Sequence, residues 1–91
     1  MMDGMDLAEL RRQIAALDHL PDNTPVVLAK DAEGNGFSPL DEAETGMYLA
    51  QTTWYGEHYL TEEQRLAKDD PGDYDEAPSD AVPAVFLWPT N

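Results

Sequence analysis

The sequence predicts an α+β fold: one N-terminal amphipathic helix packed on a small, mostly antiparallel sheet of three to four strands, with an acidic loop or short helix before the last strand. Three observations predict it. Apolar residues recur at helical spacing over residues 6–19. Short β-branched or wholly apolar runs stand at 25–29 and 84–88, bounded by turn formers and prolines. The stretch ahead of the last run, 61–80, is too acidic and too rich in turn formers to lie in a packed interior.

The helix rests on Leu7, Leu10, Ile14 and Leu17, which fall on one face at three- and four-residue spacing. Asp6 followed by Glu9 resembles a capping box with Asp in the Ser/Thr place. Arg11, Arg12 and Gln13 lie on the solvated face, and Pro21 ends the element by disfavouring helical geometry at Leu20. A helix this short is marginal alone, so its stripe must pack on something.

PVVLA, 25–29, is the first strand. MYLA, 47–50, is the next, after a break at Gly46. QTTW, 51–54, could extend it, whereas TTWYGEHYL could instead turn as a tight hairpin at Tyr55-Gly56. TEEQRLAK, 61–68, reads as a short helix with Thr61 and Gln64 as its capping pair. DDPGDYDEAPSD, 69–80, reads as a mobile loop or surface excursion, and long internal loops are often functional. AVFLW, 84–88, is apolar throughout, as a strand buried on both faces would be, with Pro83 and Pro89 as limits. The chain, 1–91, thus reads as a single small α+β domain with 61–80 as an acidic insertion or mobile loop within it. Its expected core is Leu7, Leu10, Ile14, Leu17, Val26, Leu28, Val85 and Leu87.

Composition excludes several function classes. There is no cysteine, hence no disulfide, thiol catalysis, Cys-ligated zinc or iron–sulfur cluster. The start, MMDGMDLAEL, carries acid where a secretory signal carries Lys or Arg. The longest apolar run, AVPAVFLWP, is far short of a membrane span and holds two prolines. A soluble, cytoplasmic protein is expected. Nineteen Asp and Glu against five Lys and Arg give a net charge of −14, which repels nucleic-acid phosphates and anionic lipid and favours basic partners or cations. The plain reading of that acidity is solubility in a Lys-poor chain.

No catalytic constellation stands out. His19 and His58 are far apart without metal spacing, and Ser38 and Ser79 lack a nucleophile-elbow context. Gly34-Asn35-Gly36 lacks the Lys and the helix of a phosphate loop. The reading is that the protein is not an enzyme and needs no cofactor.

One exception concerns calcium. DAEGNGFSPLDE, 31–42, has the spacing of an EF-hand loop: Asp31, Glu33 and Asn35 as side-chain ligands, Phe37 through its carbonyl, Glu42 with both oxygens, and Gly36 at the sharp turn. Against it, Glu33 is long for its place, Ser38-Pro39 replaces an aliphatic residue, and the entering segment is strand-like. The simpler reading is a turn, because Gly and Asn tolerate positive φ.

The aromatics point to an interface. Trp54, Tyr55, Tyr59 and Tyr74 lie near or within segment 57–80, which holds nine acids against Arg65 and Lys68. Rings anchor interfaces, and carboxylates meet Lys and Arg. The candidate partner-binding set is Trp54, Tyr55, Glu57, Glu62, Glu63, Asp69, Asp70 and Asp73. Carboxylates spaced along a surface can also imitate a nucleic acid and block a groove that binds one. The plainer reading has Trp54 and Tyr59 covering an open sheet face while the acids solvate a loop.

The order Leu7, Leu10, Leu17, Leu20-Pro21, then VVL, DAEGNGFSPL, TTWYGEHY and AVFLWP, resembles small acidic proteins of actinobacteria and their phages. The likeness covers most of the chain outside 61–80. It implies a helix-then-sheet fold and a phage or mobile-element setting, which would place the protein in the host cytoplasm. Its motifs are structural, and no functional residues carry over. The leading expectation is a phage-type accessory protein that binds a basic host protein, one that itself handles nucleic acid included. The alternatives are the calcium-binding module and a virion component without a discrete site.

Overall fold

A computed structural model describes residues 4–90. The elements run α1 (Leu7–Ala15), β1 (Val27–Ala29), β2 (Phe37–Ala50), β3 (Gly56–Tyr59), α2 (Glu62–Leu66), a 3-10 turn (Pro71–Asp73) and β4 (Val82–Pro89). This is the predicted α+β class: an N-terminal helix, an open antiparallel sheet of four strands and a short helix before the last strand. β2 pairs with each of the other three strands. No described helix is long and apolar enough to cross a membrane. The chain forms two compact units, one reaching to Glu42 and resuming at Leu87, the other Ala43–Phe86.

In the first unit, Asp6 caps α1 from extended backbone, its carboxylate accepting from the Glu9 amide at 2.9 Å; this is half of the expected box, since the Glu9 side chain turns to Arg12 and Gln13 instead. Glu9 also pairs with Arg12 one turn on. The α-helix ends at Ala15, four residues before the predicted end. Beyond it, amides reach back three residues, Leu17 to Ile14 and Asp18 to Ala15. Such tightened turns satisfy the last carbonyls where no capping glycine follows.

β1 and the start of β2 form an antiparallel hairpin, with Val27 opposite Pro39 and Ala29 opposite Phe37. Ser38 is the most enclosed side chain of this unit, only 1% accessible. Its hydroxyl lies 3.0 Å from the Pro39 carbonyl and 3.2 Å from the Thr90 hydroxyl. The Thr90 amide donates to the Pro39 carbonyl at 3.0 Å, so Thr90 is tied to β2 by polar contacts.

The expected core requires correction. Among the described residues no apolar side chain is fully buried. Leu7, Ile14, Leu17, Val26, Val85 and Leu87 are exposed, while Leu10 and Leu28 are half-buried. α1 buries no residue at all. β4 is not covered on both faces: Ala84, Phe86 and Trp88 are the sheltered set, and Val85 and Leu87 point the other way. A strand sends alternate side chains to opposite faces, and an all-apolar run does not say which face is covered.

In the second unit, β2 does not break at Gly46. It runs straight through, because the missing side chain admits two rings. A Cβ there would stand 2.9 Å from the Phe86 ring and 3.0 Å from His58 Nε2. Phe86 meets His58 edge-on at 4.5 Å and Tyr48 at 6.4 Å. Across the β2–β3 hairpin Tyr48 faces His58 and Leu49 faces Glu57. The Tyr48 ring covers Gly56, where a Cβ would come within 2.6 Å of it and 2.5 Å of the Leu49 carbonyl. The turn of this hairpin lies before Gly56, not at Tyr55-Gly56, and QTTW does not extend β2. The Gln51 and Thr52 amides both donate to the Tyr55 carbonyl at 3.1 Å.

Two rings crowd Gly46, so Gly46→Ala should cost about 1–3 kcal/mol through overpacking. In a chain of this size that lowers the melting temperature by roughly 4–8 °C per kcal/mol. Phe86→Ala should cost more than Val85→Ala, because only the first side chain is sheltered. Equal melting temperatures for the two variants would reverse the assignment of β4's faces.

Candidate functional site

The second unit carries an open groove of about 490 Å³, lined by Glu57, His58, Tyr59, Leu60, Asp73, Tyr74 and Asp75. One wall comes from β3 and the residue after it, the other from the chain just past α2. What fixes the second wall is the local chemistry of segment 61–76.

Thr61 and Gln64 form the predicted capping box. The Thr61 hydroxyl accepts from the Gln64 amide at 3.1 Å, and the Gln64 side chain accepts from the Thr61 amide at 2.8 Å. The Gln64 side-chain amide also donates to the Thr45 carbonyl at 2.9 Å, which moors α2 to β2. Arg65 then draws the following chain in. Its guanidinium is mostly covered, pairs with Glu62 and Glu76, and donates to the Pro71 carbonyl at 3.1 Å. The hydrogen bond from Arg65, aided by its charge, holds Glu62 below the usual carboxylate range, and the same bond raises Arg65. Lys68 lies over the Tyr74 ring, 5.4 Å from its centre. Segment 69–80, expected as a mobile loop or surface excursion, carries a 3-10 turn held by these contacts.

The loop ahead of β3 presents the aromatics. The Thr52 hydroxyl accepts from the Trp54 and Tyr55 amides, both at 3.2 Å. That turn leaves Trp54 80% exposed, with its ring 4.7 Å from that of Tyr55. The exposure contradicts the plainer reading of Trp54 as a cover for the sheet.

Of the sequence-predicted interface residues, the groove brings together Glu57 and Asp73. Trp54 and Tyr55 stand on the loop that leads into Glu57. Glu62, Glu63, Asp69 and Asp70 are exposed but do not line the groove, and Glu62 is engaged by Arg65. Asp75 and Tyr74 are lining residues absent from the predicted set. Their signal was present in the acid–aromatic–acid triplet Asp73-Tyr74-Asp75. His58 and Leu60 had no such signal.

The calcium assignment is corrected by geometry. Asp31 spends its carboxylate inside the β1–β2 turn: one oxygen accepts from the Glu33 and Asn35 amides at 3.0 Å each, the other from the Asn35 side chain at 3.1 Å. Gly34 supplies the positive φ, 74°. Glu42 lies inside β2, five residues beyond Phe37. At about 3.4 Å per residue that is roughly 17 Å along the strand, so it cannot close a shell with Asp31, Glu33 and Asn35. Among the described residues no three acids or histidines converge as a metal site.

No protein-family model matches the chain, and neither a curated protein nor a solved structure is found similar to it.

The Asn35 amide, followed by the Asn35 side chain, holds the Asp31 carboxyl below its ordinary value. A lowered folded-state value means stabilisation that is complete above the unfolded value and is lost as pH falls through the folded one. Asp31→Asn should therefore melt lower than the parent at neutral pH, with the gap closing on acidification below about pH 4. Millimolar calcium should leave both melting temperatures unchanged, and a rise in the parent alone would restore the metal loop. Arg65→Gln should speed hydrogen exchange at the Asp73 and Tyr74 amides, which close the 3-10 turn, while leaving the β2–β3 amides protected.

Proposed function

We propose that this chain is a non-enzymatic acidic interaction protein, a phage-type accessory protein that binds a Lys- and Arg-rich surface of a host protein. The groove and the Trp54–Tyr55 loop form the contact. The observation that carries this reading is the internal use of both cations in segment 57–80. Arg65 is committed to Glu62, Glu76 and a carbonyl, and Lys68 rests on Tyr74. Glu57, Asp73 and Asp75 line the groove, and none of them takes part in an ion pair described for Arg65.

Carboxylates beside phenol rings suit a guanidinium or ammonium, which gains a charge-assisted hydrogen bond and a ring face together. An exposed Trp adds apolar area of the kind that dominates interface energetics. A partner whose basic surface handles nucleic acid fits best, since carboxylates along a groove present the charge that such a surface is built to meet. The phage setting rests on the sequence resemblance.

The test is capture from nuclease-treated actinobacterial lysate by the parent and by the triple variant Glu57→Gln, Asp73→Asn, Asp75→Asn. The parent should retain a basic partner that elutes as salt rises from about 0.1 to about 1 M, where the screening length falls from ~10 to ~3 Å. The variant should melt like the parent and lose that partner. Trp54→Ala should weaken binding by roughly 2 kcal/mol, about 30-fold in Kd. Undiminished capture by the triple variant would place the interface elsewhere.

A further inference from the structure

The groove lies wholly within the second unit, and one wall is four consecutive residues, Glu57 to Leu60. A strand sends alternate side chains to opposite faces, so a hollow on one face of β3 would be lined by every second residue. Here both sets take part. His58 points to the face where its ring meets Phe86, and by alternation Glu57 and Tyr59 point to the other. A hollow that touches both sets runs along the edge of the strand, where the backbone is.

The edge in question is the one turned away from β2. Among the described strands, β3 pairs with β2 alone. At the start of that ladder the Gln51 amide donates to the Tyr55 carbonyl at 3.1 Å. In an antiparallel pair, residues that exchange hydrogen bonds alternate with residues that do not. Counting on from Tyr55, Glu57 and Tyr59 turn their N–H and C=O to β2, and Gly56 and the positions alternating with it turn theirs outward. The facing wall of the groove is also extended at Tyr74, with φ −117° and ψ 132°. An outward row of backbone groups is a template for a further strand.

Charge selects that strand. Glu57, Asp73 and Asp75 border the groove. A second copy of a chain at −14 would bring acid against acid, and charge along an edge is one means by which sheets avoid pairing with their own kind. An extended segment with Lys or Arg at alternate positions meets these carboxylates on one face while its backbone continues the ladder. We infer that the groove takes an extended, basic peptide segment of the partner as an added strand on β3. In such pairing the main-chain bonds give affinity and the alternate side chains give specificity. The inference rests on the reading of a basic partner, and it adds that the partner's contact is a peptide strand.

The experiment is calorimetric titration of the full chain with a capped peptide of about eight residues, alternating Arg and Thr, and with the same peptide N-methylated at every residue. Both carry the same charge and side chains, and the second lacks the main-chain donors. The first should bind. The second should bind about 30-fold more weakly, as the loss of roughly two main-chain hydrogen bonds requires. The first should also slow hydrogen exchange at the Gly56 and Leu60 amides. A Glu–Thr peptide of the same length should not bind. Equal binding of the two basic peptides would overturn the added strand and leave the basic-partner reading standing, whereas no binding by either would remove both. Equal binding of the Glu–Thr peptide would overturn the charge selection. Exchange at Gly56 and Leu60 that slows when the chain alone is concentrated would give the edge to a second copy and overturn the proposal.

Discussion

In the second unit, a phenyl ring lying against a glycine is the contact on which the local structure depends. Phe86 reaches Gly46 of β2 and touches His58 of β3 and Tyr48. Three strands thereby share one aromatic cluster, although none contributes a fully buried apolar side chain. The second glycine, Gly56, works in the same way, with the Tyr48 ring across it. Aromatic cover of glycines in paired strands restores contacts that the missing side chain forfeits. Such packing tolerates little change, because a ring needs a flat neighbour and any Cβ removes the flatness.

With so little apolar burial, local polar devices carry more of the order. Asp6 and Thr61 close the starts of the two helices, Asp31 closes the first hairpin and Thr52 the second. A cap such as Thr61 contributes about 1 kcal/mol, which is a large fraction of the stability available to a chain of this size. Arg65 belongs to this group and differs from it in reach. It binds the chain at Pro71 and Glu76, and so gathers an acidic stretch that would otherwise repel itself. The groove exists because one guanidinium is turned inward.

These devices also mark what the sequence makes legible. The Asp6 cap and the Thr61–Gln64 box were readable because their partners lie three residues apart and need no tertiary contact, although the Glu9 half of the first pair does not form as expected. The turn was readable from Gly34-Asn35-Gly36, whereas Asp31, which closes it, was read only as a calcium ligand, and that reading failed where Glu42 needed a distance that only the strand could set. Gly46 was misread as a break because its cause, Phe86, lies forty residues away. The faces of β4 were hidden by an all-apolar run, and the helix stripe was read as core because an apolar stripe says that it needs cover without saying whose. At the groove, Glu57 and Asp73 were found through the density of acids around aromatics, whereas His58 and Leu60 enter only because β3 happens to form that wall.

The distribution of the five cations connects stability to function. Arg12 is paired with Glu9 on its own helix, Arg65 is enclosed by its three partners, and Lys68 lies on a ring. These three of the five cations therefore serve local folding. A surface as acidic as this chain's opposes compaction by self-repulsion and at the same time attracts any basic surface over several ångströms. A partner that neutralises the groove would remove part of that repulsion, so binding and stability are coupled with the same sign. The acidity that opposes compaction of the chain alone is the property that the proposed basic partner would meet.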